Sequence, residues 1–274
     1  MQLSKRLQAV ADFVTPQSRL ADVGTDHAYV PIFLAEEKKI ARAVAMDIVD
    51  GPLQRARENI AAHHLEDVIE TRKSDGLAAL QPGEADTAVI AGMGGLLICR
   101  ILEQGRRTAL SLRELVLEPQ SDTDKVREYL LKNGYVICDE EMVLEDGKYY
   151  PVLKARPPRK AEPSGMQEEA QGRPEPGGAK DETQARSEKS DSRDAEFGAE
   201  APYRAVELLY GRHLLGKKHP VLRQYLEKER QTCRRLLENL SKASGERARA
   251  RETEIAKNLE MAEQALRMID NGVE

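Results

Sequence analysis

YVICDEEMVLEDGKYYPVLKA, residues 135–155, decides how the chain is read. Two strand-like runs, Tyr135–Leu144 and Tyr149–Ala155, flank Glu145-Asp146-Gly147-Lys148. An Asp-Gly pair between two such runs is a hairpin signal, because the favoured tight turn needs residues that tolerate positive φ. What precedes the hairpin gives it its meaning.

Upstream, helix and strand signals alternate. Leu3, Leu7, Val10 and Val14 form a helical stripe. Short strands are expected at 19–23, 42–46, 68–72, 87–91 and 115–117. Pro31 falls in a first helical turn, Gly51-Pro52 opens a helix carrying Leu53, Ala56 and Ile60, and Asp122 is expected to cap a helix reaching about Lys132. Residues 87–91 are the most apolar run, as befits a central strand covered on both faces. Five β/α units followed by an antiparallel hairpin depart from ordinary dinucleotide-binding domains. The order resembles class I S-adenosylmethionine (SAM) methyltransferases: a Rossmann-like α/β fold whose seven-stranded sheet ends in an antiparallel hairpin.

Composition divides the chain further. Net charge is −5 over residues 1–156, −4 over 157–201 and +4 over 203–274. The middle stretch is rich in Pro, Gly, Glu, Ser and Gln, with Met166 and Phe197 its only sizeable apolar residues. It cannot bury enough surface to offset its ordering entropy, so a disordered acidic linker is expected at 157–202. Beyond it, Leu222, Leu226, Cys233 and Leu240, then Ile255, Leu259, Ala262, Leu266 and Ile269, keep a 3/4 spacing that Glu229 interrupts once. Ser241–Gly245 supplies the turn and Ser244 can cap the second helix, which gives an antiparallel helical hairpin with a coiled-coil seam over 203–274. The expected domains are thus 1–156, 157–202 and 203–274.

Other classes are disfavoured. Cys99, Cys138 and Cys233 are far apart and odd in number, which argues against a disulfide framework or a zinc site. His63, His64, His213 and His219 show no ligand spacing and read as structural or solvated, so no metal is expected. No apolar run reaches the ~18 residues that a membrane span needs. The N-terminus has no apolar stretch behind Lys5 and Arg6, so no secretory signal is expected and the cytoplasm is the default. A monomer is the expected state.

The candidate chemistry sits where strands end. The first strand runs into Asp22-Val23-Gly24-Thr25-Asp26-His27-Ala28-Tyr29. Gly24 allows a tight turn and close backbone approach to a ligand. One glycine is a poor G-x-G-x-x-G fingerprint, and the carboxylates suit a ligand with a cationic end better than a pyrophosphate. Asp47, 25 residues after Asp22, can accept both ribose hydroxyls of an adenosine ligand or simply cap the following helix. Asp75-Gly76 can meet an adenine amine or be an ordinary turn. Three glycines in Ala91-Gly92-Met93-Gly94-Gly95 suggest a ligand floor, and Glu118-Pro119-Gln120 ends on the same rim. His27 either orients its loop or touches substrate.

These strings, with Leu3-Ser4-Lys5-Arg6-Leu7, Gly51-Pro52, Asp75-Gly76-Leu77 and Leu209-Tyr210-Gly211-Arg212-His213-Leu214-Leu215, resemble the bacterial tRNA (adenine-22-N1)-methyltransferase family, TrmK, over roughly 1–156 and 203–243. The resemblance implies a SAM-binding domain, a C-terminal coiled-coil domain, and methylation of an adenine N1 where the tRNA D-stem meets the D-loop. It implies Asp22, Gly24 and Asp26 around the methionine end of SAM, Asp47 at the ribose, and Asp75 and Gly76 at the adenine. Ala91, Gly92 and Met93 would frame the sulfonium and the incoming base. The family usually carries Q-P-N after the fifth strand; here a carboxylate, Glu118, precedes the proline and the amide falls at Gln120.

Asp26 and His27 are the candidate catalytic residues. Tyr29, Lys5, Arg6, Glu118 and Gln120, with Arg247, Arg249 and Arg251 near the hairpin tip, are the candidate tRNA contacts. Basic charge there would compensate for an acidic catalytic domain. The alternatives are a SAM enzyme acting on another RNA or a small molecule, and a non-catalytic RNA-binding adaptor.

Overall fold

The computed structural model describes residues 1–158, 202–241 and 246–271. Its strands are β1 (Ser18–Val23), β2 (Ile40–Asp47), β3 (Ile69–Lys73), β4 (Thr87–Gly94), β5 (Glu114–Ser121), β6 (Val136–Glu145) and β7 (Lys148–Arg156). They form one sheet in the order β3-β2-β1-β4-β5-β7-β6. β1 to β5 pair in parallel, and β7 lies antiparallel to both β5 and β6. The residue 135–155 stretch is therefore the hairpin its sequence announces, with its outer strand at the edge.

Between and around the strands lie α1 (Lys5–Phe13), α2 (Tyr29–Glu36), α3 (Asp50–Ala62), α4 (Gly95–Gln104), α5 (Arg106–Ala109) and α6 (Thr123–Lys132). Successive strand residues face opposite layers. Ala21, Ile90, Leu115 and Leu117 pack with Ile98, Leu102, Val126 and Leu130. Leu20, Val89 and Val116 pack with Val10, Val14, Ile32, Leu34 and Ile60. Burying each such Leu or Ile contributes roughly 2 kcal/mol, and coverage on both faces is what a parallel sheet requires. The chain leaves β1 towards β2 and β3 and returns on the other side as β4. That reversal opens a crevice at the carboxyl ends of β1 and β4, the place where such sheets take ligands.

Helix starts follow the sequence unevenly. Ser4 caps α1, its Oγ accepting from the Leu7 amide at 3.4 Å. Asp122 precedes α6 as expected but makes no side-chain cap. Its carboxylate accepts from Ser121 Oγ at 2.7 Å instead, while its backbone adopts φ 52°.

After the linker come α7 (Ala205–Tyr210), α8 (Arg212–Gly216), α9 (Pro220–Leu240) and α10 (Glu246–Asn271). Arg223 pairs with Asp270 at 2.6 Å and Arg234 with Glu263 at 2.7 Å, so α9 and α10 run in opposite directions. Leu222, Leu226, Ala262, Leu266 and Ile269 share one core with Met142, Val206, Tyr210 and Leu214. The expected Ser244 cap, and almost all of the expected linker, lie outside the described residues.

The described residues of 1–158 and 203–271 form one compact unit. A buried ion pair fastens them: Arg127 Nε donates to Glu140 Oε1 at 2.6 Å, with both side chains at most 1% exposed. Arg127 Nη1 donates to the Leu208 and Leu209 carbonyls at 2.8 and 2.9 Å, and Glu140 Oε2 accepts from the His213 amide at 3.0 Å. His213 Nε2 lies 2.8 Å from the Ile137 carbonyl, a structural role. Among the described residues, no helix is long and apolar enough to cross a membrane.

Candidate active site

Five strand ends build the rim. The Gly24 and Thr25 amides both donate to the Met46 carbonyl at 2.8 Å, which folds the loop after β1 onto the end of β2. Gly24 adopts φ +76°, and the Met93 methyl lies where a Cβ would stand. The positive φ is what calls for glycine here, since the Met93 methyl is the end of a flexible side chain that could move aside. The Ser74 amide donates to the Asp47 carbonyl at 2.9 Å, bringing the β3 turn alongside. The loops holding Asp22, Gly24, Asp47, Asp75, Gly76, Ala91, Gly92 and Met93 therefore share one edge of the sheet.

Asp22 is buried at 8% exposure. Burial pushes its carboxyl up to about 6, Thr25 pulls the other way, and the Asp47 charge adds to the rise. A cationic ligand end would relieve that cost. Asp47 is no helix cap, because α3 begins after Val49. Its Oδ1 accepts from the Val49 amide at 2.7 Å, a turn contact that uses one oxygen. Oδ2 has no partner among the described residues. Asp75 is exposed, and the Ser74 hydroxyl holds its turn by donating to the Gly76 carbonyl at 2.8 Å.

The Asp26–Tyr29 segment is held under strain. His27 and Ala28 both have positive φ, 68° and 54°. Such non-glycine residues persist only where the surroundings over-determine them. The Asn59 side chain donates to the His27 carbonyl at 2.9 Å, and α2 begins directly afterwards. The His27 ring stacks on Tyr29, with centroids 5.0 Å apart and planes 3° from parallel. Asp26 is exposed and not free: Oδ1 accepts from Arg55 Nη2 at 2.9 Å and lies 3.4 Å from His27 Nε2. Arg55 and Asn59, both on α3, are site residues that sequence reading missed. Their i, i+4 spacing places them on one helix face.

A second subsite opens over Gly92, where φ is +77°. A Cβ there would lie 3.7 Å from Arg6 Nη1 and 3.8 Å from Gln120 Nε2, so the missing side chain leaves a slot walled by those two groups. Beneath it, Glu118 Oε2 accepts from the Gly92 amide at 2.8 Å and from Arg6 Nη1 at 3.1 Å. Glu118 is fully buried, and its Oε1 has no partner. Burial pushes this carboxyl up, against the pull of Arg6 and the Gly92 amide, while the Glu145 charge adds to the rise. The Arg6 guanidinium also lies 5.2 Å from the Tyr150 ring centroid. Tyr150 was not foreseen. Lys5 is exposed, its amide donating to Glu145 Oε1 at 2.7 Å.

Arg247, Arg249 and Arg251 sit exposed at the start of α10, with Arg251 paired to Glu254 at 2.7 Å. They take no part in the rim. No group of three or more His, Cys, Asp or Glu side chains is placed to hold a metal among the described residues.

A family model described as a methyltransferase domain matches residues 3–153. The tRNA (adenine(22)-N(1))-methyltransferase of Bacillus subtilis is 41% identical over 155 residues, covering 57% of this chain and 65% of that protein, just under two thirds of its length. The crystal structure of the B. subtilis m1A22 tRNA methyltransferase TrmK is similar over 97% of this chain and 99% of that one, at 30% identity and a TM-score of 0.73. Sp1610 of Streptococcus pneumoniae, a candidate tRNA (m1A22) methyltransferase solved with SAM, covers 97% of this chain and 100% of its own, at 28% identity and a TM-score of 0.74. A methyltransferase-domain match across the strand ends, and a likeness to TrmK extending through the C-terminal helices, place the chain: it belongs to the methyltransferase-domain family and, within it, to the TrmK family.

Proposed function

We propose that this chain transfers the methyl group of SAM to N1 of adenine 22 in tRNA. The observation that carries this reading is the pairing of two adjoining subsites on one sheet edge. One is an acidic adenosine-type cradle at Asp22, Gly24 and Asp47; the other is an open slot over Gly92. The carboxylates and the Gly24 turn suit SAM. Asp22, Gly24 and Met93 would hold its methionine end, Asp47 its ribose through Oδ2, and Asp75 with Gly76 its adenine; Ala91 and Gly92 form the floor between cofactor and base. Bound SAM supplies a methyl group on a sulfonium as electrophile.

The rest falls to the chain's own residues. Adenine N1 already carries a lone pair, so no strong base is needed. The product base is cationic, and carboxylates facing it gain strength as that charge grows. Asp26, exposed and with Oδ2 unpartnered among the described residues, is the group placed to face the base; Glu118, fully buried behind the Gly92 amide with Oε1 unpartnered, would act through its field from below. The Arg55–Asp26 pair is exposed and cheap to exchange. His27 and Tyr29 form a stacked platform beside the mouth, while Arg6 and Gln120 wall the slot and align the base. Lys5 and the Arg247, Arg249 and Arg251 cluster contact tRNA phosphates. A coiled-coil seam joins α9 and α10, and the protein works as a cytoplasmic monomer in which the C-terminal helices pack on the catalytic domain as one unit, not as the separate domain expected from composition.

Mass mapping of methylation on a tRNA pool incubated with SAM and this protein tests the reading. One new N1-methyladenosine at position 22 is expected. Methylation confined to another RNA or to a small molecule would overturn the substrate assignment. Absence of SAM binding in calorimetry would overturn catalysis and leave an RNA-binding adaptor.

A further inference from the structure

Leu96 is 61% exposed, the most exposed of the large apolar side chains among the described residues, and its neighbour Leu97 is 40% exposed. A lone surface leucine needs no explanation. This one has a particular place. It stands in the first turn of α4, directly after the glycine-rich end of β4. Side chains on a helix lean towards its N-terminus, so Leu96 reaches back over the carboxyl end of β4, beside the slot above Gly92.

Its mount is stiff. A Cβ on Gly95 would come within 2.5 Å of the Ser121 carbonyl, 2.6 Å of the Asp122 carbonyl and 2.9 Å of Val126 Cγ2, so the α4 backbone is pressed directly onto the β5–α6 turn. Ile98, Ile101 and Leu102 anchor the opposite face of α4 in the core. One turn beyond Leu96, Arg100 is exposed, and no carboxylate pairs with it among the described residues. An apolar tip on a rigid mount beside the exposed Gly92 turn, with a cation that no carboxylate pairs among the described residues behind it, suits a stacked polyanion better than a protein surface.

We propose that Leu96 is a wedge that fills the gap left in the tRNA stack when the target adenine swings into the slot over Gly92, with Arg100 holding a flanking phosphate. This rests on the reading of the chain as a tRNA adenine-N1 methyltransferase. Apolar side chains inserted between bases compensate for lost stacking in just this way. The wedge lowers the cost of extruding a stacked base and matters little for a base already free.

The test uses two RNAs: the intact tRNA, and the same tRNA made with an abasic site opposite the target adenine. On intact tRNA, Leu96→Ala should lower kcat/KM by about 10- to 50-fold, and Leu96→Phe should restore most of it. On the abasic RNA, Leu96→Ala should stay within about twofold of the parent, because unstacking is largely done in advance. Fluorescence of 2-aminopurine at the target position should rise on binding the parent protein and rise much less with Leu96→Ala. SAM affinity should be unchanged in all variants. Arg100→Ala should raise KM for tRNA and reduce the salt slope by about one.

Equal losses on both RNAs would overturn the wedge and leave Leu96 a general binding contact. No loss on either RNA would also overturn it, as would a change in sedimentation that makes the patch a protein interface. A parent protein that binds SAM and methylates neither RNA would overturn the underlying substrate reading, a result distinct from any of these.

Discussion

Glu114 and Glu118 lie four residues apart on β5, on the same face of one strand, and the protein treats them in opposite ways. At the amino end, Glu114 accepts from the Thr15 amide at 2.8 Å, Thr15 Oγ1 at 2.6 Å and Thr87 Oγ1 at 3.0 Å, and pairs with Lys154 at 2.9 Å. Burial would push its carboxyl up, but these hydrogen bonds and Lys154 outweigh that and hold it below the usual range. At the carboxyl end, Glu118 satisfies one oxygen and leaves Oε1 without a partner, and its carboxyl rises. A complete shell makes a carboxylate part of the scaffold. An incomplete one keeps capacity for something that arrives later.

The contrast predicts different kinds of damage at the two ends. Glu114→Ala leaves three donors unpaired and takes the counter-charge from Lys154, whose ammonium keeps the Phe13 carbonyl and Thr15 Oγ1, so about 2–4 kcal/mol of stability should be lost. Urea titration with a midpoint hardly moved would show the shell to be incidental. Glu118→Gln removes a desolvated charge and keeps an acceptor, so its unfolding free energy should stay within about 1 kcal/mol of the parent. The two variants exchange places in a kinetic assay, with Glu114 acting on folding alone.

Rates sharpen the comparison within the carboxyl end. If Asp26 acts on charge that develops during transfer, Asp26→Ala should lower kcat by ~10²–10³ with little change in KM for tRNA. Glu118→Ala should do likewise if Oε1 shares that work. Single-turnover rates at saturating SAM separate them: a normal chemical step in either variant removes that residue from the role. Loss of SAM binding in Asp26→Ala would instead move Asp26 to the cofactor site. A smaller effect is expected at the ribose position. Asp47→Ala should weaken SAM by about 1–3 kcal/mol, the range of a hydrogen bond to a charged group. Unchanged calorimetric affinity would leave Asp47 with only its turn contact to Val49.

Periodicity made the scaffold legible. The hairpin and the alternating helix and strand signals are properties of neighbours in sequence, and all five upstream strands fall where they were expected, with β4 and β5 running on to Gly94 and Ser121. The glycine positions were legible for the same reason. Partners distant in sequence were not. Arg55 reaches Asp26 across 29 residues, Arg6 reaches Glu118 across 112, and the Arg127–Glu140 pair meets the Leu208 carbonyl 81 residues on. A long polar side chain in a helix reads as solvated until the fold supplies its partner. Asp122 shows the limit locally as well: a carboxylate at the right cap position turned to a neighbouring hydroxyl instead.

Asp22 offers the finest test, because it titrates where the contrast between satisfied and unsatisfied carboxylates can be read directly. Its folded value of about 6 stands above the ordinary 3.8, so below about pH 6 the free protein favours the protonated form. The stability this confers is fully present below the unfolded value and is lost as pH rises through about 6. A ligand with a cationic end selects the ionised form. Apparent affinity then scales with the ionised fraction, which grows roughly tenfold between pH 5 and pH 7 for a group of this kind. SAM binding should therefore tighten about tenfold across that window, with a proton released on binding near its lower end. Asp22→Asn should bind more weakly and lose the slope. Calorimetry in two buffers of different ionisation enthalpy reads both affinity and proton release. A flat parent profile would mean that Asp22 keeps its proton in the complex, and that SAM's positive charge is met at Asp26 instead.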